Sequence, residues 1–136
     1  MKIIYTKELL GTMNFFSRAT GAAVKDCFEI EDMLYFVVEP GNIGKAIGKK
    51  GATVKELQFK LKKRVKVIEF SQDMVQFIKN IVYPITVEVE HHEGVVVLKS
   101  FDRDMKGQLI GRNAKHLNMI VSVTKRYFPI TEVKVQ

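Results

Sequence analysis

Apolar positions along this chain change their spacing in a regular way. Leu9, Met13 and Phe16 recur at helical spacing, whereas Val24, Phe28 and Ile30, and then Leu34, Phe36 and Val38, alternate as strand residues do. A glycine-rich stretch follows. A short helix is predicted over Asn42 to Ile47, with Asn42 suited to the N-cap, and beyond it Val54, Leu57 and Leu61 fall on one helical face. The strand Val65 to Phe70 closes this half. Its element order is therefore αββααβ.

The second half repeats that order. Met74, Phe77, Ile78 and Ile81 form a helical stripe; Val87 with Val89, and Val96 with Leu98, mark two strands joined at Glu93-Gly94. A short helix running to Ile110 precedes a longer one with Leu117, Ile120, Val121 and Thr124 on its inner face, and Thr131 to Val135 is the last strand. The segment Gly44-Lys-Ala-Ile-Gly48-Lys-Lys-Gly51 returns as Gly107-Gln-Leu-Ile-Gly111-Arg-Asn-Ala114, so the chain reads as two copies of one unit. The expected boundaries are 1–70 and 71–136, with Ser71 as N-cap of the second unit's first helix. Units of this size bury only about 60% of their unfolded surface, and almost no linker separates them, so rigid packing of the two is expected. Phe59 and Met119, off the apolar faces of their helices, are candidates for that contact.

Composition narrows the chemistry. Apolar residues at 46% and charged residues at 27% describe a chain that folds, and a net charge of +7 favours an anionic partner. Cys27 is the only cysteine, which excludes an internal disulfide and suits a reducing compartment; it reads as a small core residue. Adjacent His91 and His92 on a strand would point to opposite faces, so no metal or other cofactor is expected. Met1 to Leu10 lacks the apolar core of a secretion signal, and no stretch has the apolar length of a membrane span, so a cytoplasmic protein with no membrane partner is expected. An enzyme is not expected, because no acid–base pair, metal cluster or nucleophile–histidine arrangement is evident.

The remaining chemistry gathers at Ile47-Gly48-Lys49-Lys50-Gly51. Two glycines three apart allow a tight turn and close approach of another chain, and the following helix offers unpaired N–H groups and its positive dipole end. Lys49 and Lys50 add charge that would grip phosphate without reading bases. A nucleotide-binding P-loop is excluded. That motif needs four residues between its glycines and a hydroxyl after the lysine, whereas Gly44 and Gly48 enclose three residues and Lys50 occupies the hydroxyl position.

A Gly-x-x-Gly turn between two short helices within αββααβ resembles the KH domain of the bacterial and archaeal type, type II. The resemblance implies an α+β fold of two tandem type II KH domains, each with a three-stranded sheet covered by helices, and single-stranded RNA as partner. The near absence of a linker, with Thr20-Gly21-Ala22 leading into Val24-Lys25-Asp26-Cys27, is similar to the short archaeal form of the NusA family. That likeness implies a role in transcription termination or antitermination, with RNA polymerase or its elongation complex as a further partner. The same fold also serves ribosome assembly, translation and single-stranded DNA binding, and the sequence leaves those alternatives open.

Carried over residue by residue, the resemblance implies RNA contacts at Gly44, Lys45, Ile47, Gly48, Lys49, Lys50, Gly51 and Lys55. In the second unit it implies Gly107, Ile110, Gly111, Arg112, Asn113 and Lys115. Ala114 stands where the second glycine belongs, so the first unit is expected to clamp RNA more tightly.

Overall fold

A computed structural model describes residues 7–136, with Lys50 described by its backbone alone. Residues 1–6, and with them part of the start read as lacking a secretion signal, lie outside the described residues. The chain divides into two compact units, the first ending at Ser71 and the second covering Gln72–Gln136.

The first unit runs α1 (Lys7–Thr20), β1 (Val24–Ile30), β2 (Met33–Val38), α2 (Ile43–Ile47), α3 (Ala52–Leu61) and β3 (Arg64–Glu69). Helix α1 stops at Gly21, whose φ of 74° is left-handed and whose N–H donates to the Ser17 carbonyl at 2.8 Å. Strand β2 is central, antiparallel to β1 and parallel to β3. Glu31 and Asp32, with φ of 51° and 63°, make the two-residue turn between β1 and β2. The helices cover one face of the sheet. There Phe16 stacks on Phe36 with ring centroids 4.0 Å apart, within a core that includes Cys27, Leu34, Val38, Ala46, Leu57 and Val65.

One strand departs from the simple alternation. Val24, Phe28 and Ile30 were expected on a single face, but the β1–β2 register shifts between Val24 and Asp26. An extra residue there reverses the phase of everything beyond it. Val24 and Cys27 therefore share the helix-covered core, while Phe28 stacks on Tyr35 on the other face at 5.4 Å. That second face is also closed to solvent: Asp26, Phe28, Tyr35, Val37 and Ile68 are all buried. Asp26 accepts the Cys27 N–H at 2.8 Å, so the buried carboxylate is bonded to its own strand.

The second unit runs α4 (Met74–Val82), β4 (Glu88–His92), β5 (Val95–Lys99), α5 (Arg103–Ile110), α6 (Lys115–Lys125) and β6 (Glu132–Val135). Its sheet has the same order and sense, with β5 central. Phe77, Ile78, Ile81, Val96, Leu98, Leu109, Ile120 and Val123 are fully buried, and Tyr127 meets the Phe77 ring edge-on. Two expectations need correction here. Asp73, not Ser71, caps α4, its carboxylate accepting the Val75 N–H at 3.2 Å. Met119 belongs to the buried stripe of α6 with Ile120, Val123 and Thr124, while Leu117 and Val121 are only part-buried. The stripe is thus turned about one row from the expected one, and Met119 lies on the buried face. Phe59, the other residue placed off its helix's apolar face, stands exposed.

Among the described residues no helix is long and apolar enough to cross a membrane, and no group of His, Cys, Asp and Glu side chains could hold a metal ion. His91 is engaged locally, its Nε2 accepting the Gly94 N–H at 3.2 Å. Cys27 is a buried free thiol.

Candidate nucleic-acid interface

Each unit places a tight turn between two helices that are pinned to its core by a buried side chain on either side. In the first unit these are Ala46 on α2 and Leu57 on α3; in the second, Leu109 on α5 and Ile120 on α6. The start of α2 was expected to be capped by Asn42. Asn42 does occupy that position, but its Oδ1 accepts the Ala23 N–H at 2.9 Å and makes no cap bond. The side chain ties the turn before α2 to the approach to β1. In the second unit Asp102 performs an ordinary cap on α5, accepting the Met105 N–H at 2.8 Å.

The turns themselves superimpose in their angles. Gly48 has φ 77° and ψ 174°, and Gly111 has φ 75° and ψ 172°. Their N–H groups donate to the carbonyls of Gly44 at 3.0 Å and Gly107 at 2.8 Å. A single 3-10 turn follows in each, Lys49–Gly51 and Arg112–Ala114, closed by N–H to carbonyl bonds of 3.2 Å from Gly51 to Gly48 and from Ala114 to Gly111. Gly51 then enters α3 at φ 73° and ψ 14°, and Ala114 enters α6 at φ 59° and ψ 21°.

The two glycines of the first turn answer to different neighbours. A Cβ on Gly48 would lie 2.8 Å from the Thr53 Cβ and 3.0 Å from its backbone nitrogen, so nothing larger than hydrogen fits. Gly111 is confined in the same way by His116, at 2.8 Å from its Cβ, and the His116 ring is held by the Leu109 carbonyl at 3.0 Å. A Cβ on Gly51 would meet nothing within 4 Å, and the same is true of Gly44 and Gly107. These positions open outward, where another chain could come close.

Charge follows the same topology. Lys45, Lys49 and Lys55, exposed around the first turn, and Arg112, exposed at the second, form none of the ion pairs among the described residues. Lys50 was expected at the first tip as well, and its side chain lies outside the described residues. Ile47 is 37% exposed beside the first turn, and Ile110 is part-buried beside the second. Asn113 and Lys115 are exposed, Asn113 in a left-handed conformation at φ 57°. The structure thus places the expected residues at two turns, one in each unit, the side chain of Lys50 aside.

Comparison with known proteins decides the family. The model of the KH domain matches residues 14–94, from within α1 through the rest of the first unit and into the second. The probable transcription termination protein NusA of Methanococcus vannielii is 33% identical over 139 residues, spanning 99% of this chain and 80% of that protein.

The chain belongs to the KH-domain family and is NusA-like.

The protein of the same name from Methanocaldococcus jannaschii is 30% identical, covering 98% of this chain and 75% of its own length. A solved structure, titled as the crystal structure of APE1850, matches 97% of this chain and all of its own, with a TM-score of 0.79 at 29% identity. KH modules hold nucleic-acid strands at the Gly-x-x-Gly turn, which is the element assembled at Gly48–Gly51. Thr53 and His116, which fix the first glycine of each turn, escaped the sequence reading. Only the packing of the following helix against the turn reveals them.

Proposed function

We propose that this NusA-like chain binds single-stranded RNA through two KH domains, 1–70 and 71–136, and acts in transcription termination or antitermination. The observation that carries the reading is the outward opening at Gly51, at the positive end of the ten-residue helix α3, ringed by the uncommitted Lys45, Lys49 and Lys55. A phosphate there would accept N–H bonds from the first turn of α3 while the lysines displace its counterions. Ile47 and Ile110 would supply apolar floor beneath bases. Gly107, Ile110, Gly111, Arg112, Asn113 and Lys115 would extend the contact in the second domain, more weakly because Ala114 narrows the approach. The names of the relatives support the transcriptional setting and make RNA polymerase or its elongation complex the partner to test.

The test is the salt dependence of RNA affinity. Each phosphate contact on a single strand contributes about 0.7 to the slope of log affinity against log salt, so Lys49→Gln with Lys50→Gln should flatten it by about 1.4. An unchanged slope contradicts the clamp. Recovery of ribosomal particles in place of RNA polymerase with the tagged chain would contradict the transcriptional role and leave the clamp standing.

A further inference from the structure

Resting on the RNA-binding reading, we infer that Phe59 is a stacking platform for a base of the strand leaving the Gly48–Gly51 turn. Phe59 is 84% exposed, which leaves nearly its whole ring in water. An aromatic ring so placed contributes nothing to the core of its unit. Its position on α3 gives the reason to retain it.

Helix α3 exposes two regions beyond its buried Leu57 row. One faces α1, where a cleft of about 160 Å³ is lined by Phe15 and Ala19 from α1 and by Thr53, Glu56, Leu57 and Lys60 from α3. The other is the back of the helix, opposite Leu57, which carries Ala52, Lys55 and Phe59, with Lys62 following as the C-cap. The charges divide between the two. Lys60 pairs with Glu56 at 3.1 Å on the α1 side, and Lys63 is held by Glu29. Lys55, one turn before Phe59, and Lys62, just beyond it, are exposed and form no ion pair among the described residues. An open ring between two exposed ammonium groups suits a nucleotide: the base lies on the ring face and the flanking phosphates meet the lysines.

Distance is consistent with one continuous path. At 1.5 Å per residue, Phe59 stands about 12 Å along α3 from Gly51, within reach of the same extended strand a short way beyond the clamped phosphates. Stacking on a side chain tolerates any base, so Phe59 would add affinity without sequence preference.

The experiment uses the full chain, which contains no tryptophan. Phe59→Trp places the sole indole at the proposed platform, and oligoadenylate and oligouridylate twelve-mers, a length of about the site size of a single-strand binder, serve as probes. Trp emission should be quenched in a saturable way at the affinity of the unaltered protein. Phe59→Ala should weaken binding about tenfold with no change of salt slope, because a stack releases no counterions, and Phe59→Tyr should restore it. Unchanged emission at saturation, or equal affinity for Phe59→Ala, overturns the platform. Loss of self-association in Phe59→Ala with RNA affinity intact would make the ring a protein contact and likewise overturn it. A chain that binds neither oligomer overturns the RNA reading itself, which is seen before any variant is made.

Discussion

The turns at Gly48–Gly51 and Gly111–Ala114 have nearly the same backbone and differ in what stands outside it. Their first glycines agree within 2° in φ and in ψ, and each is closed in by the residue five positions later, Thr53 or His116. Their second positions both adopt the left-handed conformation, yet one is glycine facing open space and the other is alanine. The difference separates two demands that the motif conceals. The first glycine is required by the protein's own packing, whereas the second is required only by backbone conformation and by whatever approaches from outside.

The largest expected effect therefore falls on the first position in both units. Gly48→Ala and Gly111→Ala each force a methyl group against a helix backbone and place alanine at a φ near +76°, in a region almost confined to glycine. Each should lower stability by roughly 2–4 kcal/mol in urea unfolding, combining strain with overpacking. A loss confined to one unit would break the equivalence of the turns.

The second position should separate stability from binding. Gly51→Ala puts the methyl into free space, so its stability cost is limited to the left-handed conformation, about 1 kcal/mol. On the proposed clamp RNA affinity should fall further than that, because the methyl would fill the open space in which the strand is seated. Ala114→Gly is the converse: a gain of about 1 kcal/mol in stability and tighter RNA binding. Titration of RNA alongside urea unfolding checks both. If Gly51→Ala leaves affinity unchanged, the second glycine is conformational only, and Ala114 is no reason to rank the domains.

These contrasts explain what a sequence can disclose here. The αββααβ order was legible because each element carries its own apolar period, and the second copy corroborated the first. The glycines and lysines of the turns were legible as a motif. What depends on long-range partners was not. The extra residue in β1 reverses the face of Phe28 without any local mark, and Asn42 is drawn from its cap by the distant Ala23 N–H. Ser71 and Asp73 are both good caps two residues apart, so only geometry chooses between them. The burial of Tyr35 and Val37 on the second face of β2 was hidden because alternation describes a strand covered on one side.

That second face supplies the smallest and most discriminating comparison between the units. Lys66 on β3 pairs with Tyr35, and Lys134 on β6 pairs with Val97, so the two lysines hold equivalent places in their sheets. Burial lowers the pKa of Lys66 below the ordinary lysine value, whereas Lys134 is largely exposed beside Glu132 at 3.5 Å. Below its lowered folded pKa Lys66 is charged in both folded and unfolded chains, so the cost of desolvating it is fully present there. As pH rises from its lowered folded value toward about 10.4, this lysine holds more protons in the unfolded chain than in the folded one, so its own contribution to stability increases through that window, while that of Tyr35, whose pKa burial raises, falls. Lys66→Met should therefore remove the desolvation cost present below that window and with it this rising contribution. Lys134→Met should do neither. Urea unfolding at pH 7 and through the alkaline range reads both variants; a rise that survives Lys66→Met would assign the titration elsewhere and show that the two sheets are solvated alike.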